Sequence, residues 1–283
     1  MTFDIRDLSE ADFPEAIRLL CEGFPQRDAA YWRTGLERLS GREPFPDTVR
    51  IGHALYDGGQ MRGVVLAIPS IHEGRTGAQT FVNISSWYVH SSHRGPPAKA
   101  LYGHASSRCE NVVYTNLSAA AHTLKTITAI GFREWSAGQL LCIGTQSGEG
   151  RTRIVAAKHA RSAGLPDSIC RTLVEHEKFG CISFYVESPA KLSPFIFLRR
   201  RVKLLPCAQL IYCESIGDLV SNGRAICAAL AMRGLPAMIV DTSGAVSGLR
   251  GKYFPGRASK YLKGPTPALA IDHTYSEMIY LGF

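Results

Sequence analysis

The sequence predicts an α/β fold built on a mixed sheet, and three observations lead there. Segments with strand periodicity alternate with segments of helical periodicity along the 283 residues. Two strand-like runs, 51–56 and 62–69, flank Asp57-Gly58-Gly59, residues that tolerate positive φ and mark a hairpin. A strand, a helix and another strand then follow between 81 and 116. The length suits two domains of roughly 100–200 residues each, and 45% apolar against 20% charged residues is a globular balance. No stretch of about 18–20 apolar residues suggests a membrane span. The opening MTFDIRDLSEADF is acidic, unlike a secretory leader. Eight cysteines without a CxxC pair fit small core residues in a reducing, cytoplasmic setting better than disulfides or zinc. Cys109 falls at a predicted helix end.

Each element has a local reason. Phe3–Asp7 alternates like a strand, and Ser9 with Asp12 marks a helix start. Phe13, Ile17, Leu20 and Phe24 recur at helical spacing, and a second helix covers 27–39 before Ser40-Gly41. Residues 70–79, polar and with two glycines, read as an exposed loop. A strand over 81–90 runs through a proline-bearing loop into a helix at 97–109, because proline suits a first helical turn. A strand at 112–116 precedes a helix at 119–130 with Ala120, Leu124 and Ile127 as its core stripe and Gly131 as its C-cap. After a strand at 135–143, residues 145–150 (TQSGEG) are the clearest linker.

The second half follows a looser version of the same plan. A helix near 167–178 leads to strands at 181–187, 195–201 and 209–214. A helix at 216–233 and a strand at 237–241 precede Gly-rich loops, and strand-like segments at 268–273 and 276–281 close the chain. This shared plan suggests a degenerate duplication divided as 1–144 and 151–283.

The formal charge of +8 is unevenly placed. Residues 1–150 carry 14 Lys and Arg against 15 Asp and Glu, and residues 151–283 carry 18 against 9. Such asymmetry is one signature of nucleic-acid binding. Only Arg199-Arg200-Arg201 with Lys203 forms a run, however, and a solvated basic surface explains the rest.

The segment 81–109 carries the most chemistry. A helix N-terminus offers unpaired N–H groups and partial positive charge, which suit a phosphate. Arg94 and Lys99 add charge, and Gly95 permits close backbone approach. Neither a Walker A pattern nor GxGxxG occurs, which argues against nucleotide hydrolysis and dinucleotide redox chemistry.

The ordered set SSWYVHSSHRGPP, VVYTNLS and a helix closing in AIGF, followed by a strand, resembles the GNAT superfamily of acyl-CoA N-acyltransferases over residues 1–143. The resemblance implies a bulged strand, a loop around the CoA pyrophosphate and a diverging second strand that leaves room for the pantetheine arm. It implies acyl-CoA or acetyl-CoA as co-substrate, no metal, and cofactor contacts from Val89, His93, Arg94, Gly95, Pro96, Pro97, Ala98 and Lys99. Asn116, at the splayed strand end, is placed to meet the pantetheine. The second half resembles a degenerate GNAT-like domain on the acceptor side, giving two such domains in tandem. Two departures stand out. Pro97 and Lys99 occupy the loop's glycine positions, and Ile127 stands where the family often has a proton-donating tyrosine.

The implied reaction is direct transfer of the acyl group to an amine of a small molecule or sugar. Backbone N–H groups near Tyr88 and Val89 would stabilise the oxyanion. His90 is the first candidate base because an imidazole titrates near working pH, and His93 is the second. Trp87 reads as core or acyl-pocket wall. Asp272, His273 and Glu277 gather on the closing strand pair, although alternation puts Asp272 and His273 on opposite faces. The rival reading is an inactive GNAT-fold binding or assembly module. Membrane partners are not expected, and nucleic acid ranks third.

Overall fold

The computed structural model describes residues 3–43, 45, 49–74, 77–107, 111–144, 146–148, 152–269 and 271–282. Thr145, Glu149 and Gly150 of the expected linker lie outside the described residues, as does Cys109. The first strand, β1 (Phe3–Asp7), leads into Ser9, whose N–H and hydroxyl both donate to the Asp12 carboxylate at 2.8 and 2.6 Å. α1 (Phe13–Gly23) and α2 (Ala29–Ser40) follow, with Asp28 accepting from the Tyr31 N–H at the second helix start. β2 (Gly52–Asp57) and β3 (Gln60–Gly74) form the expected hairpin.

β4 (Gly77–Val89), α3 (Pro96–Ala105), β5 (Val113–Asn116), α4 (Leu124–Ala129) and β6 (Arg133–Ile143) complete the first half. Residues 70–74 and 77–79 are strand, not an exposed loop. Ser70 there is buried, because tertiary neighbours cover a polar segment that by itself looks like a turn. Ala120 is exposed and outside the core stripe, since a 3-10 turn over Ala121–Thr123 precedes α4. Gly131, at φ +102°, ends that helix, with the Phe132 N–H donating back to the Ile127 carbonyl.

The second half comprises β7 (Arg153–Ala156), α5 (Asp167–Lys178), β8 (Ile182–Glu187), β9 (Leu192–Val202), β10 (Leu205–Cys213), α6 (Ile216–Ser221), α7 (Gly223–Ala231) and β11 (Ala237–Thr242). The single helix expected at 216–233 is broken at Asn222. Gly223 there packs so closely on the 147 carbonyl that a Cβ would lie 2.9 Å from it. β12 (Gly251–Lys263) was hidden in a segment with Pro255, Gly256 and four cations. The closing segments are β13 (Ile271–Asp272), only two residues, and α8 (Glu277–Tyr280), a helix where a strand was expected.

The strands share one sheet in the order β1-β2-β3-β4-β5-β12-β6-β11-β10-β9-β8-β7, with β13 beside β10. Read outward from the β12–β6 pair, the two flanks match. Each has an antiparallel neighbour, then a parallel pair (β4 with β5, β10 with β11), then antiparallel strands to the edge. The sequence halves are interleaved at the centre, because β12 inserts between β5 and β6 while β6 reaches β11.

Alternation sends side chains of β3 to two cores: Val64, Leu66 and Ile68 join α1 and α2, and Val65 and Ala67 join α3. α6 and α7 share a third core with β8–β11, and α5 a fourth. The tail links two of these. Tyr280 and Leu281 enter the α1–α2 core, whereas Met278 and Ile279 enter the α5 core. Cys142, Cys170, Cys181, Cys207 and Cys213 are buried thiols. No helix among the described residues is long and apolar enough to cross a membrane.

Two outcomes follow. Lys260 is buried, its ammonium donates to the Leu117 carbonyl at 2.7 Å, and its charge acts on Asp241 and Glu277. Lys260→Ala is expected to cost about 3–5 kcal/mol in urea unfolding, with part recovered by adding Asp241→Asn. His176 is buried with Nδ1 donating to the Thr172 carbonyl at 2.7 Å and Nε2 accepting from the Tyr275 N–H at 3.2 Å. Burial lowers its pKa, so the unfolded chain binds a proton first as pH falls through about 6.5. The neutral ring's contribution is therefore complete above that pH and declines below it. Unfolding measured from pH 7.5 to 5.5 should show a shallower loss in His176→Gln than in the wild type.

Candidate functional site

β4 and β5 are parallel partners only at Phe81–Asn83 and Val113–Thr115, and then diverge. Beyond that point β4 carries a one-residue bulge: Leu66 pairs Ser85 while Val64 pairs Tyr88, and Ser86 has φ +50°. The bulge turns Trp87, Tyr88 and Val89 toward a cavity of about 520 Å³ closed by the loop after β4, the start of α3, and α4. α1 ends hard against Tyr88, since a Cβ on Gly23 would lie 2.4 Å from the Tyr88 ring. The Tyr88 hydroxyl donates to Glu22 at 2.6 Å, and burial together with that carboxylate raises its pKa.

The cavity brings together Tyr88, Val89, Arg94, Gly95, Ala98 and Lys99 of the residues singled out in the sequence. Gly95 caps α3 at φ +96°, a conformation that favours glycine. Pro96 and Pro97 follow it without N–H groups, and the Lys99 N–H bonds to the Gly95 carbonyl at 3.0 Å. Within the first turn of α3 this leaves the Ala98 N–H to face an anion. Side-chain charge compensates: Arg94 and Lys99 face His122 and Lys125 across the cavity. The last two were missed in the sequence, because only the tertiary structure brings the 3-10 turn Ala121–Thr123 and α4 to the cavity beside the α3 start.

His90, His93, Pro96, Pro97 and Asn116 do not line this cavity. His90 Nδ1 lies 2.7 Å from the Ser92 hydroxyl, and its Nε2 is 3.9 Å from Glu22. His93 is buried, with Nε2 2.8 Å from Asp57 and Nδ1 2.8 Å from Ser92, so it braces the β2–β3 hairpin. The Asn116 amide donates to the Tyr102 hydroxyl at 2.8 Å and accepts from the Ser118 N–H. Tyr102 in turn packs 4.8 Å, centroid to centroid, from the Trp87 ring on the cavity wall. Burial raises the Tyr102 pKa.

The gap left by the diverging strands holds Glu277, delivered by the first turn of α8. Its carboxylate accepts from the Ser85 hydroxyl and from the Ser118 hydroxyl at 3.0 Å, and its N–H donates to Asn83 Oδ1 at 2.8 Å. The other carboxylate oxygen has no hydrogen-bond partner among the described residues. Burial raises this carboxyl's pKa against the lowering pull of Ser85, Ser118 and Lys260. Glu277 thus separates from Asp272 and His273, which point apart: Asp272 to His72 at 2.7 Å, His273 to Asp241 at 3.3 Å.

No protein-family model and no curated protein matches the chain. Solved structures do. A GCN5-related N-acetyltransferase from Anabaena variabilis superposes with a TM-score of 0.57 at 12% identity, over 92% of this chain and 72% of that one. A putative acetyltransferase from Pyrococcus horikoshii gives 0.51 at 8% identity, over 96% and 93%. The fold is that of the GNAT superfamily. A tandem GNAT protein from the clavulanic acid biosynthesis pathway also matches, with a TM-score of 0.51 at 10% identity, over 94% of this chain and 100% of that one. In GNAT terms the bulged β4, the β4–β5 divergence and the α3 N-terminus stand in the order that the sequence resemblance implied.

Removing one cavity cation tests the site as an anion-binding surface. With CoA as a polyphosphate probe of this surface, Arg94→Ala and Lys125→Ala are each expected to weaken anion binding roughly tenfold or more, in keeping with about 1.5–3 kcal/mol for a charged hydrogen bond. Calorimetric titration with CoA reads the change, and Arg153→Ala, an exposed cation on β7 outside the cavity, serves as the control.

Proposed function

We propose that the chain is an acyl-CoA-dependent N-acyltransferase acting on an amine of a small molecule or sugar. The observation that carries this reading is the cationic cavity opening at the bulged, diverging end of β4. In it, Arg94, Lys99, His122 and Lys125 meet the CoA phosphates, and the two prolines make side-chain charge the main source of affinity. The pantetheine follows the β4–β5 gap past Trp87 and Asn116. Residues 1–144 supply the acyl-CoA side and 151–283 the acceptor side, with β6 and β12 exchanged between them.

Within this reading the amine attacks the thioester carbonyl, and the N–H groups at Tyr88 and Val89 stabilise the oxyanion. Glu277 replaces His90 as the proposed base, because its carboxyl lies in the gap and burial raises its pKa. The Tyr102 hydroxyl accepts from Asn116 and keeps its own proton to give to the leaving thiolate. It would serve in the role of the tyrosine that the resemblance expects where Ile127 stands. Asn116 then positions the acid in addition to facing the pantetheine.

One observation favours an inactive binding module instead: Glu277 is fully buried in the gap and lines neither the cationic cavity nor the larger one beside α5. Acetyl-CoA titration and thiol release with glucosamine and spermidine as amine probes separate the two. The enzyme reading expects binding and turnover, with kcat lowered at least about a hundredfold in Glu277→Gln and Tyr102→Phe, the range assigned to general acid–base catalysis. Binding without turnover supports the module, and no binding removes the enzyme reading and leaves an assembly module.

A further inference from the structure

A larger cavity, about 710 Å³, lies away from the proposed acyl-CoA cleft, between α2, α5, the β3–β4 hairpin and the tail. Ser70 and His72 are two residues apart on β3 and therefore project to one face. Ser70 Oγ is 2.8 Å from His72 Nε2. On the far side of the ring, His72 Nδ1 is 2.7 Å from Asp272 Oδ2, although that approach lies off the hydrogen-bond axis in this conformation. Asp272 is fixed by Thr274, whose N–H and hydroxyl donate to Oδ1 at 3.2 and 2.6 Å. Phe81 stacks on the imidazole at 4.1 Å with the planes 19° apart, which sets the ring's orientation. All three residues line the cavity.

A hydroxyl on one imidazole nitrogen and a buried carboxylate on the other is the arrangement that activates a serine. We propose that Ser70, His72 and Asp272 form a nucleophilic relay that hydrolyses carboxylic esters bound in this cavity. His72 Nε2 takes the Ser70 proton as Oγ bonds to the ester carbonyl carbon. The tetrahedral adduct collapses, the carbon–oxygen bond to the alcohol breaks, and His72 passes its proton to the departing alkoxide. His72 Nε2 then deprotonates a water whose oxygen bonds to the acyl carbon, the bond to Ser70 Oγ breaks and His72 returns the proton to Oγ, so ester and water become acid and alcohol. Asp272 stabilises the imidazolium in both steps.

Burial works to raise the Asp272 carboxyl, yet the His72 ring and the Thr274 donors outweigh it and hold the group below the usual carboxylate range. It therefore stays ionised at neutral pH, as the relay requires. Ile169, Phe179 and Tyr280 give the cavity apolar wall for the acyl chain. Arg171 and Lys178 bring positive charge to the same wall and Glu175 negative charge. The volume lies within the range of pockets that hold small organic ligands.

The experiment treats the full-length chain with a fluorophosphonate probe and locates the adduct by peptide mass spectrometry, alongside hydrolysis of p-nitrophenyl butyrate. A single adduct on Ser70 is expected, with hydrolysis reduced at least about a hundredfold in Ser70→Ala at an unchanged melting temperature. Asp272→Asn should lower kcat with little change in KM, and the residual rate should keep its dependence on Ser70. Absence of an adduct, an adduct elsewhere, or hydrolysis that survives Ser70→Ala overturns the proposal. None of these outcomes depends on acyl-CoA binding, because the two cavities share no residue.

Discussion

The burial of Lys260 at the centre of the sheet is the constraint on which the rest of the molecule depends. An ammonium removed from water is tolerated only when opposite charge and hydrogen-bond acceptors surround it. Here the Leu117 carbonyl accepts its proton, and Asp241 and Glu277 lie within its field. Burial by itself would raise the Asp241 carboxyl, but Lys260, His273 and Gln139 hold it well below the ordinary range. Gln139 and Gln209 complete the shell, donating to its two oxygens at 2.8 and 2.9 Å. These groups come from β6, β10, β11, β12 and the tail, so the network can form only when the two halves of the chain have interleaved.

That interleaving also defines the gap between β4 and β5. With β12 paired to β5, the second strand of the gap is fixed at its outer edge, and β4 diverges from it after three paired residues. The tail enters the same region and sets Glu277 between Ser85 and Ser118. A few residues earlier it has paired with β10 and presented Asp272 to His72. One short C-terminal segment therefore furnishes a carboxylate to each of two separate polar centres. The β13 pairing and the apolar anchors Met278, Ile279, Tyr280 and Leu281 keep both in register.

Most of the first half was legible in the residues. The Asp57-Gly58-Gly59 hairpin, the Ser9–Asp12 helix start and the Gly131 cap are local devices whose physics involves neighbours along the chain, and each forms where its signal lies. β12 was not legible, because Pro255, Gly256 and scattered cations are features of exposed loops. Its middle does bulge away from β6, with pairing interrupted between Pro255 and Lys260, and only its ends behave as strand. The segment 276–281 misled for the opposite reason: its apolar residues face two different cores, so no single period describes them.

The candidate site divides along the same line. Tyr88, Val89, Arg94, Gly95 and Lys99 belong to one continuous strand–loop–helix unit, and sequence order sufficed to place them together. His122 and Lys125 joined them through the 3-10 turn Ala121–Thr123 and α4, and Glu277 came from the far end of the chain, long after the loop. His90 and His93 flank the loop in sequence, but their rings turn to Ser92 and Asp57, a matter of side-chain direction. By itself the sequence determined the fold class and the unit at the α3 N-terminus, since periodicity, caps and turns act over a few residues. The strand exchange, the buried charges and the identity of the carboxylates were decided by the tertiary structure, because desolvation and long-range pairing exist only once distant segments have packed.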